Sequence, residues 1–261
     1  MIAAIIQARM NSSRLPGKVL MKIRNRPMLD YLLHQLNYSK KLSKLIIATT
    51  TNPKDDIISN YAKNNNLDFF RGKEDDVLDR FYQCAKFYDI DKIVRITSDC
   101  PLIDPKIIDK SIEKFETGKY DYLSNAHKKV GNKWEYNLCG FPLGFSVEIF
   151  SFYALEKSWS TAKKMSEREH VTLNIINNPD FYKIGSFKNS QNLSKLRLAI
   201  DHQIDFDLIK IIIENFPDDE VFSLSSVSKF LDKNPKLKKM NSGISFDEGY
   251  KKSLMNDKII F

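Results

Sequence analysis

Cysteine and glycine are scarce in this chain, and no apolar run is long. The three cysteines, Cys84, Cys100 and Cys139, are odd in number and widely spaced. They form no disulfide framework and no metal-ligand spacing, so a reducing, cytoplasmic location is expected. With nine glycines in 261 residues, neither a Walker A loop nor a dinucleotide fingerprint is present. No stretch is apolar enough over sufficient length to span a bilayer. The apolar start is short and lacks a basic flank, unlike a secretory signal. No membrane partner is therefore expected. Basic residues do not cluster with interleaved aromatics, which argues against a nucleic-acid partner despite the net charge of +8. Lysine and asparagine are spread along the chain as a solvated surface, whose excess charge still favours anionic small molecules.

What is present is enough apolar material for one large domain. Hydrophobic residues make up 42% and charged residues 28%. Residues 2–8 read as a buried strand. Pro27 suits the first position of a helix in which Met28, Leu29, Leu32, Leu33 and Leu36 recur at helical spacing. Further strands are expected at 45–49, 68–70 and 93–97, alternating with helices near 57–62, 77–88 and from Pro105. That alternation predicts a parallel α/β sheet covered by helices on both faces. Ligands of such sheets sit at the carboxyl ends of the strands. After residue 120 the rhythm loosens. Strands are expected at 120–124, 145–150, 182–185 and 196–200, with a long polar excursion at 125–140. Helices are expected from Leu155, from Ser166 and over 204–216. One more helix, 224–231, precedes a lysine-rich end containing Asp247-Glu248-Gly249-Tyr250. The expected organisation is a domain over 1–220, divided near residue 120. Residues 221–261 are read as a helical appendage, open to a role as dimer cover or lid. Internal repeats are absent.

The loop after the first strand, Gln7-Ala8-Arg9-Met10-Asn11-Ser12-Ser13-Arg14-Leu15-Pro16-Gly17-Lys18, carries two arginines and a lysine. A basic loop between a buried strand and a helix is either a plain surface loop or an anion cradle. Its order of residues resembles the opening signature of the cytidylyltransferase-like sugar nucleotidyltransferases. These include the CMP-Kdo and CMP-sialic acid synthetases, and the nearest branch is the spore-coat polysaccharide biosynthesis protein F type. Five further blocks, in order over about residues 1–215, carry the same resemblance: 48–56, 70–82, 94–105, Ser166-Glu167-Arg168-Glu169-His170-Val171 and Leu198-Ala199-Ile200-Asp201.

The resemblance implies a Rossmann-like, three-layer α/β/α nucleotidyltransferase fold with a mostly parallel sheet, its nucleotide half near 1–120 and its acceptor and dimer half near 120–220. It implies an Mg²⁺-dependent enzyme that uses CTP, acts on a small acidic sugar or related acceptor, releases pyrophosphate, serves surface polysaccharide biosynthesis and forms a homodimer. It assigns Arg9, Arg14 and Lys18 to the triphosphate, where three cations can offset charge on departing pyrophosphate. Asp99 and Asp201 would hold Mg²⁺, which favours one or two carboxylates plus phosphate oxygens. A turn before Cys100-Pro101 is the plain alternative for Asp99, and a helix N-cap for Asp201. Asp104 reads as the cap before Pro105. Ala8, Arg71, Asp79, Arg80 and Thr97 are carried over to nucleotide binding, with a solvated helix face as the alternative for Asp79 and Arg80. Glu148, Arg168 and His170 are carried over to the acceptor; Arg168 and His170 are placed at a helix start suited to an anion, against an exposed helix start with a buried histidine. Cys100 lacks a histidine or asparagine partner for nucleophilic work. Thr97-Ser98-Asp99 stands where the Kdo and sialate enzymes have a Gln-Gly-Asp type segment, which leaves the sugar open. A phosphate-monoester or phosphonate acceptor, and a non-catalytic nucleotide-binding subunit, are the competing functions. A glycosyltransferase would show an Asp-X-Asp motif, which is missing.

Overall fold

An uninterrupted apolar run makes a strand that is buried on both faces, and Ile2–Gln7 (β1) is that strand. In the computed structural model, which describes residues 1–136, 138–246, 248–255 and 257–260, β1 lies at the centre of a seven-stranded sheet. Asp247 falls outside the described residues. The other strands are Lys44–Thr50 (β2), Asp68–Gly72 (β3), Lys92–Thr97 (β4), Tyr122–Ser124 (β5), Glu148–Ser151 (β6) and Ile184–Ser186 (β7). Their spatial order is β7-β5-β6-β4-β1-β2-β3. Only β6 runs antiparallel to its neighbours, so the sheet is mostly parallel as expected.

Alternate residues of β1 face opposite layers, because side chains alternate across a strand. Ala4 and Ile6 pack with helices Met28–Asn37 (α1), Asp56–Asn64 (α2) and Pro105–Gly118 (α4). Ala3 and Ile5 pack with Val77–Phe87 (α3) and Phe152–Thr161 (α5). Short helices Met165–Glu169 (α6) and Leu173–Asn177 (α7) follow, then Gln203–Glu214 (α8) and Leu224–Lys233 (α9). Helix Pro235–Lys238 (α10) and helix Glu248–Met255 (α11) complete the chain. Leu224, Val227 and Leu231 of α9 are buried in the same core as α1 and α4. The buried Gln35 amide of α1 binds both backbone groups of Phe222, which ties that segment down. No helix among the described residues is long and apolar enough to cross a membrane.

Three local expectations differ. Pro27 is the N-cap rather than the first helical residue, because it pairs with Lys22 in a small hairpin. The 125–140 excursion contains a hairpin, His127–Val130 with Lys133–Tyr136. Leu196 to Ile200 is extended but joins no sheet. It runs beside Leu143 through two backbone bonds, and Ile200 N–H donates to Asp99 O at 2.9 Å. Gly144 permits this contact: its φ is +100°, and a Cβ there would lie 2.4 Å from Leu198 O.

Candidate active site

The register places Gln7 at the end of β1 opposite Thr97 of β4 and Ala48 of β2. The chain leaves β1 for β2 on one side, while β4 lies on the other. This is the switch point at which open α/β sheets form a crevice. The opening loop and Thr97-Ser98-Asp99 therefore share one edge, and the extended 196–200 segment delivers Asp201 to the same place.

The loop is shaped by its own backbone and by one buried carboxylate. Gly17 N–H donates to Met10 O at 2.9 Å, closing the loop, and Gly17 takes a left-handed φ of +73°. Asp55 is 1% exposed and accepts from Met10 N–H at 2.7 Å and from the Thr50 hydroxyl. Asp55 thus fixes the point from which Arg9 and Arg14 project.

Two cavities meet here. One, about 510 Å³, is lined by Gln7, Ala8, Arg9, Arg14, Lys18 and Arg80 among others. The second, about 260 Å³, is lined by Arg95, His127, Ser146, Glu148, Thr172 and Leu173 among others. Arg14, Arg95, Thr97, Asp99, His170 and Asp201 line both. The first lobe is basic and polar, and the second mixes a buried ion pair with apolar walls.

At the junction Lys18 Nζ donates to Asp99 Oδ2 at 3.0 Å, Asp201 Oδ1 at 2.9 Å and Ile200 O at 2.6 Å. Arg14 reaches Asp201 Oδ1 at 2.5 Å, and Arg197 reaches Asp201 Oδ2 at 3.0 Å. Burial opposes charge on Asp201, but the Lys18 ammonium and hydrogen bonds from Arg14 and Lys18 hold its carboxyl far below the usual range. Burial likewise opposes charge on Lys18, and the Asp99 and Asp201 carboxylates outweigh it and raise its pKa. The helix-cap alternative for Asp201 is not realised. His202 is the N-cap of α8, and Asp205 at its third position accepts from the N–H groups of Asp201 and His202. Asp104 does cap α4, accepting from Lys106 N–H, and its other oxygen accepts from Leu224 N–H.

The donor set fits Mg²⁺. Two ionisable carboxylates already converge on one cation, and Mg²⁺ takes one or two carboxylates with phosphate oxygens and water. No group of three or more metal-ligating side chains gathers among the described residues, so a nucleotide would have to supply the remaining oxygens.

Other expected residues divide. Arg80 lines the basic lobe, is 2% exposed, and its Nε has no partner among the described residues. Burial, and secondarily the nearby Arg9, lower its pKa to about 10. Arg71 and Asp79 line neither lobe. Arg71 bonds the carbonyls of Thr50 and Asn52 and the Asp56 carboxylate. Asp79 accepts from Trp159 Nε1 at 2.8 Å. Glu148 lines the second lobe but faces it with every oxygen engaged: it accepts from Arg95, from Tyr122 at 2.6 Å and from Thr172 at 2.6 Å.

Arg168 and His170 do not begin a helix. They lie at the carboxyl end of the five-residue α6, with His170 as its C-cap, because the helix starts at Met165 and lasts little over one turn. Arg168 and His170 therefore have no helix N-terminus behind them with which to bind an anion. Arg168 lines neither lobe: its buried guanidinium holds both oxygens of Asp76, at 2.9 and 2.6 Å, and the Trp159 carbonyl. Asp76 is the N-cap of α3, so Arg168 steadies the helix that carries Arg80. Arg168→Lys keeps the charge and loses the fork; it should cost about 1–2 kcal/mol of stability. An unchanged denaturation midpoint would contradict this. His170 does line both lobes, and its buried Nε2 has no partner among the described residues. Burial lowers its pKa.

Cys100 sits on Thr97 and Asp99, and burial, with the Asp99 charge, drives its thiol pKa well up. It is a protonated packing group.

Arg95, Arg197 and Asp55 were not singled out from sequence. The first two had a visible signal, an arginine inside an apolar run, which requires a buried partner. Arg95 finds Glu148 and Gln7, and Arg197 finds Asp205 and Asp201. Asp55 had no such mark.

The family model described as cytidylyltransferase matches residues 3–241. An uncharacterised protein of Methanocaldococcus jannaschii is 40% identical over 245 residues, 93% of this chain and 95% of that one. The spore coat polysaccharide biosynthesis protein SpsF of Bacillus subtilis is 32% identical over 244 residues, 90% of this chain and 95% of that one. The solved structure of a cytidylyltransferase from Leptospira borgpetersenii superposes with a TM-score of 0.84 at 34% identity, covering 94% of this chain and 98% of that one.

Proposed function

The chain belongs to the cytidylyltransferase family, and on that premise we propose that it transfers CMP from CTP to an acidic sugar or related acceptor in surface polysaccharide biosynthesis. The observation that carries this reading is the junction. A basic lobe and a second lobe meet at two carboxylates and two cations, Asp99, Asp201, Lys18 and Arg14. In the proposed step an acceptor oxygen bonds to the α-phosphorus while the bond to pyrophosphate breaks. Such a step needs alignment and charge neutralisation rather than a covalent enzyme intermediate.

Arg9, Arg14 and Arg80 suit the triphosphate, since they line the basic lobe and carry donors for phosphate oxygens. Lys18 holds the two carboxylates together and adds a fixed positive charge beside the departing pyrophosphate. Ala8 is 3% exposed and lines the lobe, so its small side chain lets a base approach the backbone. Thr97 stands between the lobes. Asp99 and Asp201 would hold Mg²⁺, which when bound neutralises charge on the reacting phosphate. Arg95, Glu148 and His170 form the polar part of the acceptor wall. The neutral imidazole that burial favours at His170 can accept a proton or donate a hydrogen bond to an acceptor hydroxyl.

Pyrophosphate release measured with each nucleoside triphosphate, Mg²⁺ and a panel of carboxylate, phosphate and phosphonate acceptors tests the reading. The expected result is release with CTP and a sugar acid, abolished by chelation of the metal. Release with phosphate or phosphonate acceptors alone would overturn the acceptor class. No release from any pair would favour a non-catalytic nucleotide-binding subunit. A homodimer belongs to the same reading, and light scattering checks it.

A further inference from the structure

The family match ends at residue 241, yet the chain beyond it returns to the site. Ser245, Phe246 and Glu248 line the second lobe, and Gly249 and Tyr250 line both. The segment is fastened on two sides. Arg197 donates to Ser245 O at 3.0 Å, and His202 pairs with Glu248 at 2.9 Å. Toward α6, Ser253 donates to Glu169 at 2.7 Å, and Asp257 accepts from Ser166 N–H and hydroxyl at 3.0 and 2.8 Å. A short antiparallel bridge, Lys164 with Ile259, completes the attachment, flanked by backbone bonds from Met165 to Lys258 O and from Ile260 to Lys163 O.

The contact with the junction is close. A Cβ at Gly249 would lie 3.2 Å from the Arg14 guanidinium, so glycine lets the backbone settle on that side chain. The Tyr250 ring stands edge-on to His170, with centroids 5.2 Å apart. Both residues line both lobes, as Asp99 and Asp201 do.

We propose that this C-terminal strap, through Gly249 and Tyr250, covers the transfer point and keeps water from the α-phosphorus. The proposal rests on the CMP-transfer reading. The reaction it suppresses is hydrolysis: a water oxygen bonds to the α-phosphorus, the bond to pyrophosphate breaks, the water proton passes to solvent, and CMP is released. A transition state that depends on position and charge accepts water as readily as an acceptor hydroxyl unless water is shut out. The Tyr250 ring does this by filling space at the junction that water would otherwise occupy. Tyr250 is thus a positioning and shielding residue.

The test uses the full chain with CTP and Mg²⁺ and no acceptor, measuring CMP formed per CTP bound. Tyr250→Ala should raise that ratio about tenfold. Asp257→Ala, which loosens the strap at a half-buried anchor, should raise it by a smaller factor. Tyr250→Phe, which restores the ring, should return it toward the native value. A Tyr250→Ala chain that binds CTP by calorimetry and forms CMP no faster than the native chain would overturn the proposal. Amide hydrogen exchange gives a second measure. CTP should slow exchange in residues 9–18 and in 248–255. Slowing in the first segment alone overturns the strap's role, and slowing in neither removes the CMP-transfer reading with it.

Discussion

Asp99→Asn is expected to lower turnover by about a thousandfold or more, roughly 4 kcal/mol of transition-state stabilisation, while the protein folds and still binds CTP. The substitution is nearly isosteric and removes one charge. Asp99 sits just past β4, where its backbone carbonyl receives Ile200 N–H, so the loop that carries it is held from outside the side chain. Its carboxylate is 21% exposed, and its two oxygens accept from Lys18 at 3.0 Å and from the Cys100 thiol at 3.4 Å. Asparagine can still accept from Lys18. It cannot supply the negative charge that, with Asp201, would hold a divalent cation against phosphate. Pyrophosphate release and calorimetric CTP binding, measured side by side, separate the two effects. Turnover within tenfold of the native chain would remove Asp99 from the metal role. Loss of CTP binding together with turnover would place Asp99 in ground-state binding instead.

Glu148→Ala is expected to cost about 3–5 kcal/mol of stability, lowering the melting temperature by about 10 °C. Glu148 lies on β6, the antiparallel strand, opposite Arg95 in the register with β4. Its side chain is 9% exposed and that of Arg95 is 15% exposed. Truncation leaves the guanidinium buried without its counter-charge and removes the acceptor of Tyr122 and Thr172. The pH dependence follows from the same contacts. Burial alone would raise the Glu148 pKa, but the Arg95 charge, with His127 and the two hydroxyl donors, lowers it to about 2. The unfolded chain binds the proton near the ordinary value of 4.5. The stabilisation is therefore complete above about pH 4.5 and is lost as pH falls from there toward 2. Thermal unfolding of the native chain and the variant between pH 7 and pH 3 should show the gap narrowing with acid. A shift below about 2 °C at pH 7 would show that Arg95 finds water or another partner.

Much of the nucleotide half was legible because local chemistry and topology agree there. An apolar run on both faces makes a central parallel strand, and a parallel strand points its carboxyl end at a crevice. Arg9, Arg14, Lys18 and Asp99 could be placed at that crevice from their positions after β1 and β4. Asp201 was legible only through its resemblance to a family block, since its own segment joins no sheet. The second half resisted for physical reasons. Arg168 carries a signature that suits an anion site, yet the same donors suit Asp76, and only the packing of α6 against α3 chooses between them. Asp79 and Arg80 are adjacent on one helix and look alike as exposed polar residues. The turn of α3 sends Arg80 to the basic lobe and Asp79 to Trp159.

The sequence by itself determined the alternation of strands and helices, the basic loop at the end of β1 and the carboxylate after β4, because each depends on neighbours within a few residues. The tertiary structure decided how the charges pair. Lys18 meets Asp99 and Asp201, residues 81 and 183 positions away, and Tyr250 reaches His170 from the far end of the chain. Such pairings follow from burial: once a charge leaves water it must find a partner, and the fold alone sets which partners are within 3 Å.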